Sequence, residues 1–278
     1  MTTTNSLYLN WFGYRINVST MNEDAGEPLL LVNGLGCGAD MWAPFVAAAF
    51  PNRHVIGFDA PGTGKSSTPV FPVTVPALAL LAVAVLDACG ADWADVLGFS
   101  YGGAVAQQLA HDYPDRVRRL VLAATTCGLG GVPGTAGAMA AVATTLRFYS
   151  PAYFDRMAPA LFGGVTGRDA RARTEALEAS YRTPPCAYGY AMQLAGAAGW
   201  SSLPFLGRIP HETLVICGDD DPLVPAANAE LLAGLIPRAR LDIVERAGHL
   251  FLWDDAPNLA PRIARFVNGP TVVYTNEA

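Results

Sequence analysis

Val96-Leu97-Gly98-Phe99-Ser100-Tyr101-Gly102-Gly103-Ala104-Val105-Ala106 is the stretch on which the reading of this chain turns. An apolar run enters it, and a run of small residues suited to a helix leaves it. Between them stands Gly98-x-Ser100-x-Gly102, a serine flanked by glycines at a strand-to-helix corner. A serine on so sharp a turn must take strained backbone angles, and side chains at the flanking positions would collide with their surroundings. The turn lifts the hydroxyl above the sheet edge, with a helix N-terminus beneath it. Backbone N–H groups there can stabilise a developing oxyanion. Taken alone the pattern also describes an ordinary Gly/Ser turn, so the rest of the chain must decide.

On either side of this corner, short apolar runs alternate with helical patterns. Ser6–Asn10 and Arg15–Thr20 alternate around Trp11-Phe12-Gly13 and predict an opening hairpin. Leu29–Val32, Val55–Phe58, Asp95–Phe99, Leu120–Ala123 and Leu214–Cys217 are continuous apolar runs, the mark of parallel strands buried on both faces. Leu241–Val244 predicts a weaker edge strand. Helices are expected over Met41–Phe50, Pro76–Cys89, Tyr101–Asp112, Ala226–Leu235 and Pro257–Val267. Strand alternating with helix means βαβ units, hence an α/β fold with a mostly parallel, doubly wound sheet. From about Cys127 to Gly207 no good strand occurs. Gly/Pro turns are followed there by Ala-, Met- and aromatic-rich helical stretches. This predicts a helical cap, residues 127–207, inserted into a core formed by 1–126 and 208–278. The tail from Asn268 to Ala278 is expected to fray.

Bulk properties exclude several classes. With 278 residues, 51% of them hydrophobic and a net charge of −6, the chain has a core but no basic footprint for nucleic acid or an anionic membrane. The longest apolar stretch, Val73–Ala88, is interrupted by Thr74, Pro76 and Asp87 and is too short for an integral membrane span. No secretory leader is visible after Met1. Cys37, Cys89, Cys127, Cys186 and Cys217 are scattered, with no C-x-x-C or Cys/His cluster, so no metal is expected and the thiols are expected buried and reduced. Together these point to the cytoplasm. Gly64-Lys65-Ser66 imitates the end of a phosphate-binding loop, but Asp59 stands where that motif needs its first glycine. Asp59 is instead expected to hydrogen-bond within its own turn.

In an open parallel sheet, function sits at the carboxyl ends of the strands. That rule sorts the histidines. His54 and His211 precede strands, and His111 lies along the helix from Ser100, about 16 Å away at about 1.5 Å per residue. Only His249, in Ala247-Gly248-His249, follows a strand and can reach Ser100. The orienting acid must also follow a strand. Gly218-Asp219-Asp220-Asp221-Pro222 offers three carboxylates, of which Asp221 lies farthest into the loop, held extended by Pro222. The catalytic candidates are therefore Ser100, Asp221 and His249. Asn33-Gly34-Leu35-Gly36 follows the first core strand, so the N–H groups of Leu35 and Tyr101 are the expected oxyanion donors. Trp42, Tyr101, Tyr149, Met192, Trp200, Leu250 and Phe251 are candidates to contact substrate, although most such residues serve as core.

Several of these segments together resemble the intracellular medium-chain-length poly(3-hydroxyalkanoate) depolymerases of the α/β-hydrolase superfamily. They are Asn33-Gly34-Leu35-Gly36, Phe58-Asp59-Ala60-Pro61-Gly62, Gly98–Gly103, Gln107-Gln108-Leu109-Ala110-His111-Asp112-Tyr113-Pro114, Gly218–Leu223 and Gly248-His249-Leu250-Phe251-Leu252. The resemblance covers nearly the whole chain and includes Gln193-Leu194-Ala195-Gly196 in the cap. It implies an α/β-hydrolase fold with a cap, the triad Ser100, Asp221 and His249, and no cofactor. The implied substrate is an aliphatic polyester of 3-hydroxy acids held as an intracellular granule. Tyr101 stands where that family carries tryptophan, and the insert opens Ala/Gly-rich at Gly130–Ala141, both on the substrate side. A small-molecule carboxylesterase, a lactonase or a C–C-bond hydrolase would share the same triad. A non-catalytic binding protein of the same fold would not need it.

Overall fold

The computed structural model describes residues 4–23 and 25–269. Two strands, β1 (Thr4–Trp11) and β2 (Tyr14–Met21), form the opening hairpin. Phe12 and Gly13 both have positive φ, 48° and 85°, the two-residue turn whose twist matches its strands. The core strands follow: β3 (Leu29–Val32), β4 (Val55–Phe58), β5 (Ala94–Phe99), β6 (Val117–Ala123), β7 (Glu212–Gly218) and β8 (Ala239–Val244). They build one eight-stranded sheet in the order β1-β2-β4-β3-β5-β6-β7-β8. The β1–β2 and β2–β4 pairs are antiparallel and every other pair is parallel.

The continuous apolar runs are explained by layers on both faces. Leu30 and Val32 point into one core with Ile56, Val96 and Leu122; Leu29 and Leu31 point into the other with Val55, Leu97 and Val121. Helices α1 (Ala43–Ala49), α2 (Val75–Ala88) and α3 (Tyr101–Asp112) supply the first coverings. The helix expected from Met41 is split: a 3-10 turn over Ala39–Trp42 precedes α1, because Pro44 lacks an N–H and suits only a helix start. At the amino end of β5, buried Asp95 gathers Arg53 and Arg118. These charges lie at the opposite edge from Ser100 and serve the fold.

Between β6 and β7 the chain runs through α4 (Ala136–Val142), α5 (Pro151–Phe162), α6 (Gly164–Arg168), α7 (Ala170–Arg182) and α8 (Ala187–Ala197). Side-chain oxygens of Thr135, Ser150 and Asp169 cap α4, α5 and α7, each accepting from an N–H three residues on. The two stems of this insert are tied together, Leu129 N–H to the Trp200 carbonyl and Ser202 N–H to the Cys127 carbonyl. The chain closes with α9 (Ala227–Leu235), a short α10 (Phe251–Asp254) and α11 (Ala256–Asn268). The expected fraying lies, for residues 270–278, outside the described residues. Cys127 and Cys217 are buried as expected, whereas Cys37 and Cys89 are half-buried and Cys186, whose sulfur accepts the Gly189 N–H at the start of α8, is exposed.

Candidate active site

The corner after β5 has the strain its sequence announces. Ser100 sits at φ 54°, ψ −119°. A Cβ on Gly102 would lie 2.1 Å from the Val32 carbonyl oxygen, and one on Gly98 2.4 Å from the Gly102 carbonyl oxygen. Only glycine lets β3, β5 and α3 approach so closely. The Thr125 hydroxyl donates to the Ser100 carbonyl at 2.7 Å and fixes the turn from β6.

Asp221 arrives on the loop after β7 and His249 on the loop after β8, both at the same carboxyl edge. His249 Nε2 is 3.0 Å from Ser100 Oγ, and its Nδ1 is 2.7 Å from Asp221 Oδ2. Asp221 is 5% exposed and His249 3%, so the pair is withdrawn from water. The other carboxylate oxygen, Asp221 Oδ1, accepts the N–H groups of Leu223 and Val224, both at 2.9 Å. With Nδ1 protonated toward the carboxylate, Nε2 is the acceptor for the serine proton. Neighbouring Asp219 and Asp220 are exposed, and Asp220 accepts from Gly164 N–H and Arg168 instead. Of the remaining histidines, His211 faces the Ala110 carbonyl and His111 faces Asp112; burial holds the His211 imidazole below its ordinary value.

Leu35 lines the same cavity as Ser100 and His249, and Tyr101 opens α3 directly after the serine. Among the described residues no protein acceptor engages the Leu35 or Tyr101 N–H. The loop carrying Leu35 is pinned from behind. Asn33 Nδ2 donates to the Phe58 carbonyl at 2.8 Å, while its Oδ1 accepts the Trp42 indole N–H at 2.7 Å. Gly36 N–H donates to Gln193 Oε1 on α8. Asp59 accepts the N–H groups of Ala39 and Lys65 and the Asn17 amide. Its role is to brace these turns.

A cavity of about 240 Å³ opens over Ser100. Its walls are mainly apolar, with Phe148, Leu161, Phe162, Leu223, Leu250 and Trp253 beside Ser100, His249 and the Gly34–Gly38 loop. Of the expected contact residues, Leu250 lines it. Trp42 and Phe251 do not; they are fully buried beneath it in the core shared with α11. Trp200 is held away by its indole bond to Gln108 Oε1, and Tyr149 lies outside with its hydroxyl on the Pro185 carbonyl. Met192 also falls outside the lining. The Tyr101 ring points into a separate small recess with Val32, Phe58 and Leu78, where burial raises its phenol. Sequence reasoning passed over Phe162, Leu223 and Trp253. The available signals were position beside the Gly163-Gly164 break, position just past Asp221, and one helical turn beyond His249. The Cys37 thiol, also in the wall, is pushed up to about 11 by burial.

Among the described residues no His, Cys, Asp or Glu cluster could hold a metal, and no helix is long and apolar enough to cross a membrane. The alpha/beta hydrolase family model matches residues 29–261. The chain is 43% identical to the poly(3-hydroxyalkanoate) depolymerase of Ectopseudomonas oleovorans, over 86% of this chain and 84% of that protein. It is 31% identical to the 2-hydroxymuconate semialdehyde hydrolase of Pseudomonas sp. (strain CF600), over 92% and 91%. Among solved structures, a hydrolase from Pseudomonas aeruginosa PA01 superposes with a TM-score of 0.81 at 28% identity, over 96% of this chain and 99% of that one. With the elbow at the end of β5 and the family model spanning both halves of the sheet, this chain belongs to the alpha/beta hydrolase family.

Proposed function

We propose that this protein is a serine esterase that cleaves aliphatic polyesters or oligomers of 3-hydroxyalkanoic acids through an acyl-enzyme. The observation that carries the chemistry is the 3.0 Å and 2.7 Å relay from Ser100 through His249 to Asp221 at one sheet edge. The substrate class rests on the 43% identity to the Ectopseudomonas depolymerase. Ser100 Oγ attacks the ester carbonyl as His249 Nε2 takes its proton. Asp221 holds the imidazole and stabilises its cation. The N–H groups of Leu35 and Tyr101 receive the oxyanion, each worth about 3–4 kcal/mol in the transition state. The imidazolium then gives its proton to the leaving alkoxide, and the ester C–O bond breaks. Water, deprotonated by His249, attacks the acyl-enzyme and frees Ser100. The sequence needs no metal or organic cofactor.

In this reading the insert, residues 127–207, is a cap: α4 and α5 roof the cavity, and Phe148, Leu161 and Phe162 give it an apolar wall suited to an alkyl side chain. The setting is the cytoplasm, at a polymer granule surface. A second reading keeps the triad and replaces the ester by a C–C bond, and is favoured by the 31% identity to the semialdehyde hydrolase.

The test compares wild type and Ser100→Ala on 3-hydroxyoctanoate polymer granules, 3-hydroxybutyrate polymer, p-nitrophenyl esters of graded length and a meta-cleavage dienoate. Wild type should release acid from the octanoate polymer, and Ser100→Ala should lose turnover by roughly 10³-fold or more while its fold survives. Cleavage of the small esters alone would remove the polymer, and turnover of the dienoate alone would favour the second reading. Fluorophosphonate should label Ser100 covalently; an unlabelled serine would make the chain a binding protein.

A further inference from the structure

The mechanism leaves one charged group in the cavity wall unused. Arg147, between α4 and α5, is 7% exposed, yet it lines the same cavity as Ser100 and His249. Burying a guanidinium is costly unless an anion compensates it. Among the described residues no carboxylate forms an ion pair with it. Its Nη1 donates to the Thr144 carbonyl at 3.0 Å and, at 3.4 Å, to that of Ala141; its Nη2 donates to the Tyr190 hydroxyl at 2.9 Å. All three acceptors are neutral. Nε–H and the second Nη2–H have no acceptor among the described residues.

The carboxylates of the cavity wall are engaged elsewhere. Asp40 accepts from the Thr183 hydroxyl, Glu175 pairs with Arg171, and Asp254 accepts from Thr166. The guanidinium is also held in place. It stacks over the rings of Phe148 and Tyr190, at 4.3 Å and 5.1 Å. Those rings in turn press on the oxyanion loop, where a Cβ on Gly36 would stand 2.8 Å from Tyr190 and 3.2 Å from Phe148. The guanidinium is therefore fixed close to the loop that receives the scissile carbonyl.

We infer that Arg147 binds a substrate carboxylate, the free acid end of a 3-hydroxyalkanoate chain, and so directs cleavage to the last ester bond. This rests on the proposed ester hydrolysis and adds its direction. In the terminal unit of such a chain the carboxylate is two carbons from the scissile ester oxygen. Cleavage at the last ester bond requires a carboxylate at Arg147 and a carbonyl in the oxyanion hole to belong to neighbouring units, and both places line one cavity. Ser100 Oγ bonds to the penultimate carbonyl carbon, the C–O bond to the terminal unit breaks, and that alkoxide takes the proton from His249. The terminal 3-hydroxy acid leaves with its carboxylate intact. An Arg fork reads a carboxylate better than any neutral group.

The test uses the free-acid dimer of 3-hydroxyoctanoate and the methyl ester of the same dimer, with p-nitrophenyl octanoate as a neutral reference. Wild type should prefer the acid by about tenfold or more in kcat/KM, expressed mainly in KM. In Arg147→Gln the acid-to-methyl-ester ratio should fall toward one, and Arg147→Lys should restore part of it. The ratio is internal to each variant, so partial loss of folded protein does not move it. An unchanged ratio in Arg147→Gln would make Arg147 a structural cap on the α4 end and overturn the inference. Equal turnover of both dimers by wild type would overturn it too, while leaving ester hydrolysis standing. Failure of wild type on the p-nitrophenyl ester together with an unlabelled Ser100 would instead sink the enzymatic reading beneath it.

Discussion

The backbone N–H of His249 donates to the carbonyl oxygen of Phe162 at 2.6 Å. One partner is the histidine beside Ser100, on the loop after β8; the other is the last residue of α5 in the insert. The contact is reinforced on both sides. Gly164 N–H reaches Asp220 Oδ2 at 3.0 Å, and the Thr166 hydroxyl reaches Asp254 Oδ1 at 2.6 Å. The loops that bring Asp221 and His249 to Ser100 are thus bonded to the insert, several of whose residues line the cavity. Displacing Phe162 here should disturb the imidazole.

Gly164→Ala tests that coupling. Gly164 has φ 53°, and a Cβ there would lie 2.1 Å from Gly248 N. Backbone must move, and the backbone that must move carries His249. The variant should lose about 1–3 kcal/mol of stability in urea titration. Its kcat should fall more than its KM changes. Normal kcat in a destabilised variant would show that the insert and the His249 loop move independently.

The three acids after β7 should separate sharply. Asp221→Asn keeps the shape but removes the charge that holds His249 in the useful tautomer, so kcat should fall by roughly 10³–10⁴-fold. Asp219→Asn, at an exposed position outside the relay, should stay within a few-fold. Steady-state rates on a p-nitrophenyl ester suffice, and comparable losses at both positions would refute the assignment.

Asp254 makes stability fall as pH rises. Burial raises its carboxyl above the ordinary value of 3.8, against the lowering effect of its Thr166 hydrogen bonds. The unfolded chain therefore loses this proton at lower pH than the folded one. Stability from this group is complete below the unfolded value and is lost as pH climbs through the raised folded value. The difference in unfolding free energy between wild type and Asp254→Asn, followed by urea titration from acid to neutral pH, should decline across that window and then level off. A flat difference would mean that Asp254 titrates alike in both states.

Much of this protein is legible in its sequence because the signals are local. Continuous apolar runs such as Leu29–Val32 and Val55–Phe58 mark strands buried on both faces, and their bounds agree with the structure. Gly98, Gly102 and the pre-proline Asp221 announce backbone geometry that few other residues permit. The rule that a parallel sheet works at its carboxyl ends then selects His249 from four histidines, since sheet polarity follows from strand order alone. Trp42 illustrates where this ends. A large aromatic near an oxyanion loop suits a pocket wall and a buried brace equally well, and only its bond to Asn33 distinguishes them. Likewise Arg147, unremarkable in sequence, becomes a buried cation in the cavity wall, with no carboxylate paired to it among the described residues, once α4, α5 and α8 fold around it. Periodicity and turn chemistry depend on neighbours along the chain, so the sheet, the elbow and the order of Ser100, Asp221 and His249 are legible in residue order alone. Which side chains face the cavity depends on contacts between residues far apart in the chain, such as Gly36 with Tyr190 and His249 with Phe162, and these form only when the insert packs against the core.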